Sequence, residues 1–154
     1  MKRSLALLAL LAAAPLAAET RFELGYAHVD EIDGETTQGV VFSWVKPIER
    51  WQRHDIHGEL LFAAVRGREA LPSPDDKDQF LLGYGLRKHW GGFFLGAGLA
   101  LIEPKNTLTS STGQIVSSLG WAKGSAAIVF RHVSNANTGG NNDGENLLSV
   151  AWRW

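Results

Sequence analysis

From residue 21 onward, large apolar side chains recur at every second position, the period of a β-strand with one apolar face. Phe22, Leu24 and Tyr26 alternate with Arg21, Glu23 and Gly25, and Val40, Phe42 and Trp44 alternate less cleanly with Val41, Ser43 and Val45. Leu60, Phe62 and Ala64 share one face of a third run. Phe80, Leu82, Tyr84 and Leu86 alternate with glycines and Arg87 in a fourth. Phe93, Leu95, Ala97, Leu99 and Leu101 form a fifth. Weaker runs cover 114–122 and 125–134, and Leu148, Val150, Trp152 and Trp154 line one face of the last, 146–154. The pattern predicts eight strands of about ten residues.

The connections alternate in length. Trp90-Gly91-Gly92 and Lys123-Gly124 read as tight turns and 47–55 as a somewhat longer link, whereas 30–38, 66–77, 103–113 and 135–145 are longer polar segments. One strand face is large and apolar; the other carries Gly, Ala, Ser and scattered charge. A soluble barrel would turn its large apolar residues inward. Small residues alternating with charge suit a narrow, polar-packed lumen inside an apolar wall. Strands of about ten residues, tilted, cover the ~25 Å apolar band of an outer-membrane barrel, and short and long links on opposite rims fit that reading. The expected fold is therefore all-β, an eight-stranded antiparallel transmembrane β-barrel. It must close, because hydrocarbon cannot satisfy an open sheet edge.

The first 18 residues, MKRSLALLALLAAAPLAA, have a positive start, a short apolar run and a small-residue exit. They read as a secretory signal peptide, leaving 19–154 as the barrel domain. Without Lys2 and Arg3 the basic count falls from 15 to 13 against 16 acidic residues, a net charge of −3. That balance, with no basic block, argues against a nucleic-acid partner. The absence of cysteine excludes disulfides and thiolate metal sites. His28, His54, His57 and His89 lack ligand spacing, so no metal is expected. The acidic stretches 30–35 and 75–78 read as solvated rims. The six tryptophans fall near strand ends, where aromatic belts anchor a barrel at the membrane interfaces. Gly139-Gly140 lacks the strand–helix setting of a phosphate cradle.

Candidate chemistry is confined to 130–146. His132 and Ser134, two apart on a strand, leave the same face as Ile128 and Phe130, so both point outward beneath a long connection. Spacing alone also allows a simpler reading, in which they mark the end of the apolar band. Arg131 has the opposite parity and is expected inside as an ion-pair partner.

The string His132-x-Ser134-Asn135-Ala136, followed by Asn142-x-Gly144, resembles the PagL family of outer-membrane lipid A deacylases. Its specific motifs lie within 130–146, although the barrel layout extends over the mature chain. The terminal Trp154 also resembles the carboxyl-terminal signal of outer-membrane barrels. The resemblance implies an outer-membrane esterase that removes the acyl chain at position 3 of lipid A, with no cofactor. Ser134 would be the nucleophile, His132 its general base, and Asn135 a support for the oxyanion hole. The family's glutamate would fall at Asn146. Parity favours Asn146 as the third member, since it shares a face with Leu148 and Val150. Glu145 has the better chemistry and would serve if the strand opened with a bulge. Lipid A within lipopolysaccharide is the implied substrate, other outer-membrane lipids the surroundings, and monomer or homodimer the state. Two rivals remain: a non-enzymatic barrel for envelope integrity or adhesion, and an acyltransferase barrel with an interior acyl site.

Overall fold

The computed structural model describes residues 20–136 and 143–154; the signal segment expected at 1–18 and Asn142 lie outside them. Eight strands form in chain order: β1 (Arg21–Ile32), β2 (Glu35–Pro47), β3 (Ile56–Val65), β4 (Gln79–Trp90), β5 (Phe93–Glu103), β6 (Gly113–Lys123), β7 (Ala126–Ser134) and β8 (Glu145–Arg153). A short 3-10 turn, Glu49–His54, links β2 to β3. Each strand pairs antiparallel with the next, and β8 pairs with β1, so the sheet is a closed barrel. At the seam the Phe22 amide donates to the Trp154 carbonyl at 3.0 Å and the Trp154 amide donates to the Phe22 carbonyl at 3.1 Å.

Alternation sorts the side chains as the period requires. Tyr26, Phe80, Tyr84, Leu99, Val150 and Trp152 lie among the large apolar groups exposed on the outer wall. Such a continuous apolar surface is stable against hydrocarbon and unstable against water. Trp44, Trp90, Trp121 and Trp152 stand near the ends of β2, β4, β6 and β8, one on every strand that descends to the rim of short turns. The aromatic belt thus follows one rim.

Two expectations need correction. The segment 30–38 is not a long polar loop: both strands run through it, and the turn is Asp33-Gly34. Their φ angles, 49° and 84°, are positive at both positions, as a two-residue hairpin turn needs and as an Asp-Gly pair tolerates. The polar residues around it are strand residues standing above the apolar band. The lumen, likewise, is not uniformly polar. Its half nearer the long loops is filled by an apolar layer that includes Val29, Val41, Leu61, Leu81, Ile102 and Val133.

Beneath that layer lies a charge cluster. Arg87, fully buried, donates from Nη1 to Glu23 at 2.8 Å and from Nε to Glu59 at 2.6 Å. Arg131 faces inward, as its parity requires, and donates from Nη2 to Ser43 Oγ at 3.1 Å and to Glu59 at 3.2 Å. At the opposite end Arg68, from the β3–β4 loop, caps the barrel: it pairs with Glu145 at 2.9 Å and donates from Nε to the Glu35 carbonyl at 2.9 Å.

Glu59 serves both Arg87 and Arg131, so removing its charge leaves two buried guanidinium groups short of a counter-ion. Glu59→Gln is expected to lower unfolding free energy in detergent micelles by about 3–5 kcal/mol. An unchanged urea midpoint would show that the serines and Glu23 suffice.

Candidate active site

The outer row below the long loops is built by strand register. His132 on β7 lies opposite Ser117 on β6 and Asn146 on β8. His28 on β1 lies opposite Leu148, and Asp30 follows two residues on, beyond the last paired position, Val29. One level towards the short turns, Leu119, Phe130 and Leu148 restore the apolar wall. The polar row therefore occupies the rim of the wall, where polar groups cost least against a membrane.

Within this row the side chains bond to one another. His132 Nδ1 lies 2.9 Å from Asn146 Oδ1, and Asn146 Nδ2 donates to Asp30 Oδ2 at 2.7 Å. With the amide oxygen as acceptor, Nδ1 carries the imidazole proton and Nε2 keeps its lone pair. Nε2 and the serine both lie against Gly144: the point where a Cβ would stand there is 2.8 Å from Nε2 and 3.0 Å from Ser134 Cβ. The ring and the serine thus gather over the same bare backbone. Gly144 is suited to this twice, because its φ of +74° disfavours a side chain and a Cβ there would meet His132 Cε1 at 2.4 Å.

Glu145 is not part of this group. The β7–β8 register runs without interruption through His132–Asn146 and Val133–Glu145, so no bulge rotates it outward. Its carboxylate is buried in the ion pair with Arg68. Asn135 is also buried, and its Nδ2 donates to Ser110 Oγ at 3.2 Å, which ties the end of β7 to the β5–β6 loop. Its side chain holds the backbone beyond Ser134 and leaves the outer wall. Ala136, next in line, turns the chain with a φ of +50°, a costly conformation for a non-glycine residue and one that recurs at functional sites. Asn142 lies outside the described residues.

Sequence reasoning placed Asp30 in a solvated rim and missed its contact with Asn146. Two signals were present: it continues the outward parity of Leu24, Tyr26 and His28, and Asp33-Gly34 is a hairpin-turn pair that prolongs β1 past it. Arg68 carried no periodic signal, because it lies in a loop. Among the described residues no group of three His, Cys, Asp or Glu side chains is arranged to hold a metal.

The sequence matches no family model and no curated protein. Among solved structures, the barrel is similar to the crystal structure of the outer membrane enzyme PagL, with a TM-score of 0.56 and 17% sequence identity. The match covers 85% of this chain and 97% of that one. At that identity the likeness is one of fold.

An imidazole with a free Nε2 beside a serine is equipped to activate the hydroxyl. Gly144→Ala should push the ring off the serine and cut ester hydrolysis at this wall about 100-fold, the loss typical of a small misplacement. Heat-modifiable gel migration should show the barrel still folded. A Gly144→Ala protein that remained fully active would mean that His132 does not work from this position.

Proposed function

We propose that the chain is an outer-membrane lipid A 3-O-deacylase, an ester hydrolase that acts from its outer wall on lipid in the outer leaflet. The observation that carries the reading is the outward His132, held through Nδ1 by Asn146, with its Nε2 and Ser134 Cβ both beside Gly144. The extended motif around these residues and the PagL-like barrel support it.

In the proposed reaction, His132 Nε2 takes the Ser134 hydroxyl proton as Oγ attacks the acyl carbonyl. The tetrahedral intermediate collapses, the sugar oxygen leaves with the proton from His132, and the acyl chain remains on Ser134. Water, deprotonated by the same imidazole, then releases the fatty acid and restores the serine. Backbone N–H groups beyond Ser134, held by Asn135, are the proposed oxyanion donors, each worth about 2.7–4 kcal/mol in well-studied hydrolases. Phe130, Leu148 and Leu119 offer an apolar track for the acyl chain. Such a substrate keeps its chains in hydrocarbon throughout.

Expression in a bacterium carrying hexa-acylated lipid A should remove one hydroxyacyl chain, read as a mass loss in extracted lipid A. Ser134→Ala should abolish that loss, a drop on the order of 10⁶ in kcat for a nucleophile of this kind. An unchanged mass profile with folded wild-type barrel would refute the function, and full activity in Ser134→Ala would remove the serine from its role.

A further inference from the structure

We propose that Asp30 is the carboxylate of this site, a positioning residue that acts on His132 through the side-chain amide of Asn146. The inference rests on the serine-hydrolase reading above. An asparagine alone is an ambiguous partner for a histidine, because its amide has an accepting end and a donating end of nearly the same shape. If the NH₂ group faced Nδ1, that nitrogen would have to accept, the proton would sit on Nε2, and the imidazole could not take the serine proton.

Asp30 removes the ambiguity. Its Oδ2, 2.7 Å from Asn146 Nδ2, accepts only a donor when ionised, so the amide oxygen is left facing His132 Nδ1 at 2.9 Å. The carboxylate thereby selects the amide orientation, and the amide selects the imidazole tautomer. The chain is continuous across three strands: β1, β8 and β7.

The surroundings hold Asp30 without consuming its charge. The Glu31 amide donates to Oδ1 at 3.1 Å, and Arg68 donates to the Asp30 backbone carbonyl. Arg68 has its own counter-ion in Glu145 at 2.9 Å. Among the described residues no cation forms an ion pair with the Asp30 carboxylate. Its negative charge remains directed at the Asn146–His132 pair, where an imidazolium forms as the serine loses its proton. Glu145, the carboxylate adjacent in sequence, supports the site from inside by neutralising Arg68.

The test is a double-mutant cycle on purified barrel in detergent micelles, with hexa-acylated lipid A as substrate and released hydroxy fatty acid as the readout. Asp30→Asn keeps the shape and an acceptor but removes the charge. It should lower kcat about 10- to 100-fold, the scale for an outer partner of an active histidine, with KM little changed. Asn146→Glu places a carboxylate directly on the imidazole but also against Asp30, so the two acids compete. In that background the same Asp30→Asn change should raise kcat, because the amide introduced at position 30 can then donate to the carboxylate introduced at position 146. The reversal reports contact between positions 30 and 146, and the fall in kcat at little-changed KM in the parent background is the readout that a purely structural role would not move. An Asp30→Asn effect of the same direction in both backgrounds, or no effect on kcat, overturns the inference while an inactive Ser134→Ala control keeps the hydrolase reading standing. A wild-type barrel that releases no fatty acid, or an active Ser134→Ala control, removes both.

Discussion

The seam between β8 and β1 is the join on which this molecule depends. It is made by the last strand of the chain returning to the first, with reciprocal amide bonds between Phe22 and Trp154 at one end. At the other end it sets Asp30 beside Asn146, residues 116 apart in sequence. Closure satisfies the backbone that an open edge would leave bare in hydrocarbon. The same pairing assembles the polar row, so folding and site formation are one event. A barrel unable to seal would lose its edge protection and its histidine's support together.

Polar groups on an apolar wall must be either costly or paired. Here His132, Asn146 and Asp30 satisfy one another laterally, across strands, and not along one strand. Lateral pairing is available because cross-strand neighbours stand about 4.5–5.5 Å apart, closer than the next outward residue on the same strand. Ser134 gains its position one step higher, where the bare Gly144 backbone leaves room for the ring. The wall thus carries the proposed reactive pair at the level where the apolar band gives way to the long loops.

Much of this was legible in the chain. Period-two alternation located all eight strands, turned Arg131 inward, and turned His132, Ser134 and Asn146 outward, because a strand offers each side chain only two directions. What alternation does not contain is long-range register. Whether residue 30 reaches residue 146 depends on how the first and last strands align, and no local pattern encodes that offset. The acidic residues after Val29 therefore looked like a loop until the Asp33-Gly34 turn showed both strands continuing. The apolar half of the lumen was hidden for a related reason: in β2, Val41 and Val45 alternate with Phe42 and Trp44, and both faces look alike.

The filled lumen also bears on what kind of lipid chemistry the barrel suits. A transferase that stores an acyl chain inside needs an interior cavity of its length. Here the loop-side half is packed with valine, leucine and isoleucine side chains, and the other half is crossed by Arg87, Arg131 and their partners. Beside Glu59, Val116 and Ser118 a cavity measures about 20 Å³, room for about one water molecule, and the larger cleft lined by His57 and His89 lies at the short-turn rim, beyond the charge cluster. An acyl chain can meet this protein along its outer wall, where it already lies if the barrel sits in a membrane. With the outward histidine, that geometry suits the proposed hydrolase, which would draw its substrate laterally from lipid and hand the bond to water arriving from the loop side.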